Sequence, residues 1–458
     1  MDKQRNFDLP QVPSLWKMIG PSFVLLGLAL GSGELILWPY LAAQHGLGLL
    51  WGALLGISLQ YILNTEAMRY TLYWGESVFV GFRRMSLGLT IWYIISTFVP
   101  WSIPGFSSAT TDILVTVFPS LPKPVVAVGL LLLTGLLLSS GTSLYKTIER
   151  FQKIIIFLGM PFLFLLAFIF AEPIHWNDMV RGLVGSGAGY WFFPTGIAIG
   201  SFVGAFAYSG AGGNLNLAQS YYIKEKGFGM GAYMGKISSL FSHKAKPFVL
   251  EGQTFAHTKH NRDRWKAWWY LVSIEHAVVF WLLGLVSICV LAVLSYATVY
   301  GQDVQSGINF LYAQSAAISA RTSSVVGTLF LLVSAITLFS TQVGVMESSA
   351  RIISENVVLL SGTKRQKVNI GAYFYGVLWM QLSIGAVIYL LGIREPRVLL
   401  TTAAICNAAA MMLSFPILFL LNHKRLAKPF RAGALRYGAM GIAVAVFAVL
   451  LFEVVRDF

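Results

Sequence analysis

Charge is what this sequence has least of. Of its 458 residues only 11% are Asp, Glu, Lys or Arg, against 56% that are hydrophobic, and mean hydropathy is +0.69. Soluble domains carry about 25% charged residues, so too little polar surface is present to coat a soluble globule of this size. The shortage excludes a soluble enzyme, a disordered chain and a nucleic-acid binder, and leaves a polytopic membrane protein. Cysteine is almost absent. Cys289 and Cys406 each lie inside an apolar run, too few for a disulfide framework or a zinc site, and read as small buried hydrophobes. Met1 to Pro21 lacks the short apolar core and cleavage site of a signal peptide, so the first apolar run is expected to belong to the mature protein.

What is present is a series of long apolar runs. A bilayer core needs about 20 apolar residues per helix, and this predicts eleven spans, near 16–43, 47–70, 88–115, 123–142, 149–171, 193–222, 266–296, 324–358, 369–392, 397–421 and 434–453. No run alternates as a barrel strand would. Basic residues are unevenly placed. With the N-terminus inside, the outer segments hold only Lys123, Arg181, Arg321, Arg394, Arg397 and Arg456, and the other 27 of the 33 Lys and Arg fall inside. The net charge of +14 is therefore topogenic and no sign of a nucleic-acid partner. It predicts a plasma (inner) membrane protein with a cytoplasmic N-terminus and an extracytoplasmic C-terminus. The basic segment 224–266 contains His257-Thr-Lys-His260, a spacing that can chelate metal on a helix. Without nearby acids it reads as a solvated loop.

Two spans are interrupted by glycine. The first reads Gly27-Leu-Ala-Leu-Gly31-Ser32-Gly33-Glu34, and the sixth Ala207-Tyr208-Ser209-Gly210-Ala211-Gly212-Gly213-Asn214. In lipid every backbone polar group must be paired, so such clusters mark breaks that line a cavity. Paired broken helices in corresponding halves point to an inverted-repeat transporter with its site at the midplane. Packing through small residues explains Gly27 and Gly31, but not an acid set directly after the glycines. A carboxylate at a helix centre costs roughly 2.5–3.5 kcal/mol on insertion scales, so Glu34 should face a partner, a cavity or a cation. Freed carbonyls, with Tyr208, Ser209, Asn214 and Asn216, would add oxygen ligands suited to hard cations.

The remaining acids divide. Glu66 with Arg69, and Glu347 with Arg351, stand at helical spacings that read as structural pairs. Asp112 has no basic neighbour one turn away and is the best second ion or proton position. Glu275 beside His276 allows a proton relay.

At these residues the chain resembles the Nramp family of divalent-metal transporters. Leu59-Gln60, Arg69 and Gly75 are similar to the family's second helix. Ala109-Thr110-Thr111-Asp112 resembles its helix 3 stretch Ala-Thr-Asp-Leu-Ala-Glu, with Val115 where the Glu would be, and Asn214-Leu215 follows the sixth-span break. The metal motifs depart. The family's Asp-Pro-Gly-Asn falls on Gly31-Ser32-Gly33-Glu34, its Met-Pro-His on Ala211-Gly212-Gly213, and its second His on Ala218. The resemblance implies an all-α membrane fold of two inverted five-helix repeats (the leucine-transporter arrangement) plus one helix. The expected division is 1–172 for the first repeat, 193–421 for the second with its basic loop 224–266, and 422–458 for the connector and last helix.

The function expected is secondary transport of a divalent cation, without a cofactor. The site comprises Gly31, Ser32, Gly33, Glu34, Tyr208, Ser209, Ala211, Gly213 and Asn214, with Asp112, Glu275 and His276 as an ion or proton pathway. A small organic substrate such as an amino acid or amine is the alternative, because Gly-Ser-Gly and Phe206-Ala-Tyr208-Ser-Gly210 are similar to amino-acid permeases of this architecture. A sensor built on a transporter scaffold is a third reading. An enzyme is not expected, since neither paired carboxylates nor a nucleophile with a base is apparent.

Overall fold

A computed structural model describes residues 7–140, 143–237, 249–302, 307–362 and 369–456, and of Leu15, Trp16, Ser32 and Arg397 the backbone alone. Lys3, Arg5 and part of the basic loop lie outside the described residues. Within them no β-strand forms; Phe7 and Phe255 make an isolated parallel bridge. The spans, numbered here in chain order, begin with α1, built from Pro21–Ala29, Leu30–Leu37 and Trp38–His45, and α2, Leu50–Trp74. Next come α3 (Leu87–Trp101 with Gly105–Val117), α4 (Lys123–Ser139) and α5 (Leu144–Phe170). In α6, Ile199–Ala207 is followed by a 3₁₀ turn Gly213–Ala218 and then Gln219–Lys226. Then follow α7 (Lys259–His276, Ala277–Leu282 and Leu283–Val299), α8 (Ser324–Leu360), α9 (Ile370–Leu390), α10 (Pro396–Arg425) and α11 (Ala434–Arg456).

Eight of the described helices are long and apolar enough to cross a membrane, or nine with the bent pair in α1 taken as one span. The shorter α4 and the divided α6 occupy the other two of the eleven stretches expected from sequence and fall below that length test. The protein is an integral membrane protein. Its outward side chains are apolar, as lipid requires: Leu158 on α5 and Leu435 on α11 are 73% and 89% exposed. The centre is formed by α1, α3, α6, α8 and α10. Helix α8 packs on α1, α3, α5 and α9, and α10 on α3, α6 and α11.

Charge is buried where helices converge near the basic segments. Arg351 of α8 bonds Glu347 one turn back and Glu225 of α6, while Tyr222 donates to Glu347 at 2.9 Å. Arg69 pairs with Glu66 at 2.9 Å, as the spacing predicts, and Arg436 reaches the same carboxylate at 3.2 Å.

The loop before α7 differs from the solvated segment expected. Its described part folds onto the N-terminal segment: Ala256 N–H donates to the Phe7 carbonyl at 3.1 Å, and Leu9 N–H to Asn261 at 3.0 Å. Phe228 and Phe255 are buried there, so apolar burial drives the docking. His257 precedes the α7 cap Thr258, whose hydroxyl accepts from Asn261 N–H. The imidazole bonds the Tyr73 hydroxyl at 2.8 Å and shares no helix face with His260. No group of three His, Cys, Asp or Glu able to hold a metal exists among the described residues.

Candidate functional site

The α1 break is a change of winding, not the unwound coil expected. Leu30–Leu37 forms a π-helix, and the flanking segments meet at 42°. Each glycine admits a different neighbour. A Cβ on Gly27 would lie 2.1 Å from Gln152 Oε1 of α5, one on Gly31 2.4 Å from Thr341 Oγ1 of α8, and one on Gly33 1.7 Å from the Tyr208 carbonyl oxygen of α6. Thr341 donates to the Gly27 carbonyl at 3.1 Å. Close approach thus explains all three glycines, and Gly33 brings the two interrupted helices into backbone contact.

The α6 break is unwound. Its helix stops at Ala207, and Gly212 and Gly213 adopt φ of 78° and 53°, a left-handed region that glycine enters at little cost. Gln60 of α2 stitches this segment together. Its Nε2 donates to the Ala207 carbonyl at 3.1 Å, and its Oε1 accepts from Gly212 N–H at 3.3 Å and Asn216 Nδ2 at 3.0 Å. Asn407 of α10 donates to the Tyr208 hydroxyl at 3.2 Å. Sequence reasoning did not single out Asn407, or Gln60 for this role, because the partners of a lone amide become visible only when helices meet.

Glu34 is fully buried. Its Oε2 accepts from the Ser287 hydroxyl of α7, and its Oε1 has no partner. Asn216 Oδ1, Asn407 Oδ1 and both amide atoms of Gln342 are likewise buried without partners. These groups come from α1, α6, α8 and α10, and both α8 and α10 pack against the breaks. An unpaired buried polar atom is costly, so each of these groups, on helices that pack at the breaks, is a candidate to face a ligand.

The predicted residues separate in space. Ser209 accepts from Trp38 Nε1 at 3.1 Å and donates to the Ala205 carbonyl at 3.1 Å, so its hydroxyl is committed to structure. Ala211 is buried and offers only its backbone. Asn214 turns away from Glu34: it donates to Ser96 at 2.9 Å and Thr97 at 3.0 Å and accepts from Ser414 at 3.3 Å. The expected Glu34–Asn214 ligand pair is therefore not assembled, because Asn214 is taken up by α3 and α10 and Glu34 by α7.

The pathway residues also part company. Asp112 is not a partnerless acid inside a span. It sits near the end of α3 and pairs with Lys123 at 2.9 Å, a neighbour brought there by the turn into α4. Glu275 and His276 lie side by side on Ser22 of α1. Glu275 accepts the Ser22 hydroxyl, and His276 Nδ1 lies 2.8 Å from the same oxygen. Both are buried, but Ser22 is about 18 Å of helix from Glu34 at 1.5 Å per residue. They form a separate polar contact fastening the start of α1 to α7.

No family model matches the chain, and no curated protein matches it by sequence. Solved structures do match its fold. The manganese transporter of Eremococcus coleocola, in complex with an aromatic bis-isothiourea substituted compound, is 15% identical, with a TM-score of 0.69 over 99% of this chain and 90% of that one. A point variant of that transporter gives 16% identity and 0.68 over 98% and 89%. Mhp1, a nucleobase-cation-symport-1 family transporter in a closed conformation with bromovinylhydantoin bound, gives 11% identity and 0.51 over 100% and 96%. The chain has the leucine-transporter-type fold, with α1 and α6 as its broken helices.

Proposed function

We propose that this protein is a secondary transporter moving a divalent cation of the Mg²⁺, Mn²⁺ or Ca²⁺ class by alternating access, with Glu34 as the charged ligand. One observation carries the reading. Glu34, which follows the Gly33 contact between the two interrupted helices, is buried against Ser287 of α7 with one carboxylate oxygen unpartnered. An ionised carboxylate left so in an apolar interior is costly unless a cation completes it. The polar groups at the breaks are oxygens and amides, apart from the Met411 thioether that accepts from Asn216 Nδ2 at 3.4 Å, and oxygen ligands suit hard cations. In this reading the backbone of Gly31, Ser32, Gly33, Ala211 and Gly213, with Tyr208, lines the site, and Asn214 holds α6 in place. The similarity to a manganese transporter supports it through fold alone. The N-terminus faces the cytoplasm and the C-terminus the opposite side.

A second reading is favoured by the charge at the junction. Glu34 is a lone carboxylate there, and no triad of His, Cys, Asp or Glu converges among the described residues. One negative charge balances an organic ammonium better than a divalent ion. Proteoliposomes carrying a divalent-ion dye separate the two. Saturable Mn²⁺, Ca²⁺ or Mg²⁺ flux that falls at least tenfold in Glu34→Gln is expected. Flux with an unchanged rate and competition profile in Glu34→Gln would sink the assignment, and no flux for any ion, with uptake of a labelled amine, would transfer the site to the second reading.

A further inference from the structure

At the basic end of the bundle a short helix, Val78–Met85, runs from α2 into α3. Its last turn carries Arg83 and Arg84. Beside it, the last turn of α10 carries Lys424 and Arg425, both exposed. Between them lies a groove of about 590 Å³ whose rim holds Arg84, Lys424 and Arg425, and whose wall holds Leu89, Ile417 and Leu420. No acid lines it.

Five basic side chains at this end are neutralised within the protein: Arg69 and Arg436 by Glu66, Lys153 and Lys226 by Glu149, Arg351 by Glu225 and Glu347. The groove differs. Arg84 is fixed on Glu76, which also accepts from Tyr70 at 2.6 Å and Gly252 N–H at 2.7 Å. Lys424 and Arg425 make no ion pair among the described residues. The apolar wall continues onto the membrane-facing surface, where Leu420 is 42% exposed and Leu87 47%.

We propose that this groove binds an anionic phospholipid, with its phosphate on Lys424 and Arg425 and its acyl chains along Leu89, Ile417 and Leu420. A basic recess between spans at the membrane surface suits a charged head group, and ammonium and guanidinium donors bind phosphate through charge-assisted hydrogen bonds. Free phosphate would use only the rim. The apolar wall is matched by a molecule that is anionic at one end and hydrocarbon at the other. The site is independent of the cargo at Glu34.

The test is a native mass-spectrometric titration of the full-length protein in micelles with phosphatidylglycerol and phosphatidylcholine. The wild type should retain phosphatidylglycerol preferentially. At about fivefold per basic side chain, Lys424→Gln/Arg425→Gln should weaken that binding on the order of 25-fold and leave phosphatidylcholine unchanged. A control pair, Lys259→Gln/Arg262→Gln, removes two exposed charges elsewhere and should change nothing. If the double variant is not recovered folded, Lys424→Gln alone should show the fivefold loss. Equal losses in both pairs, no loss in the groove variants, or displacement of the lipid by millimolar inorganic phosphate would each overturn the proposal.

Discussion

Gly33→Ala tests the contact on which the central site depends. The added Cβ would stand 1.7 Å from the Tyr208 carbonyl oxygen, where ordinary contact begins at 3.4 Å. The obstacle is backbone, so no rotamer change relieves it, and α1 and α6 must part by well over an ångström. Overpacking of this kind costs about 1–3 kcal/mol or more, and the gain from replacing glycine in a helix is at most about 1 kcal/mol. The net effect is destabilising. Gly31→Ala meets Thr341, whose Oγ1 can rotate away but whose Cβ, 2.7 Å from the added methyl, cannot; with a smaller overlap than the 1.7 Å at Gly33, it should cost less. Gly200→Ala meets nothing within 4 Å and should be neutral or slightly stabilising. Thermal inactivation in detergent should rank the variants with Gly33→Ala shortest-lived, followed by Gly31→Ala, with Gly200→Ala at least equal to wild type. Transport by Gly33→Ala should fall further than its loss of folded protein explains. A Gly33→Ala protein as long-lived as Gly200→Ala would refute the contact and remove the geometric basis for a site there.

Two other outcomes follow from the charges. Arg351→Met leaves Glu225 and Glu347 buried without their cation, which should cost about 3–5 kcal/mol and sharply shorten the inactivation half-life; wild-type behaviour would show that this network carries no stability. Asp112→Asn breaks only the pair with Lys123, which is itself half exposed. It should alter stability by at most about 1 kcal/mol and leave cation flux and its pH dependence unchanged, and a changed pH profile would restore Asp112 to the transport pathway.

Composition and periodicity determined that the chain spans a membrane and where two spans are interrupted, because burying backbone in lipid imposes length and apolarity on every segment. Local pairs were legible for the same reason: Glu66 with Arg69 and Glu347 with Arg351 are neighbours on one helix face whatever the fold. Interhelical partners were not. Asp112 found Lys123 across a turn, Asn214 was claimed by α3 and α10, and Arg351 acquired Glu225 from α6. The glycines of α1 read as a break from sequence alone, yet each makes room for a different helix, and the winding that results is π rather than open. The acid at the centre was therefore a property of the sequence. What surrounds Glu34, and which of its oxygens is left without a donor, only the packing of α1 against α6 and α7 decided.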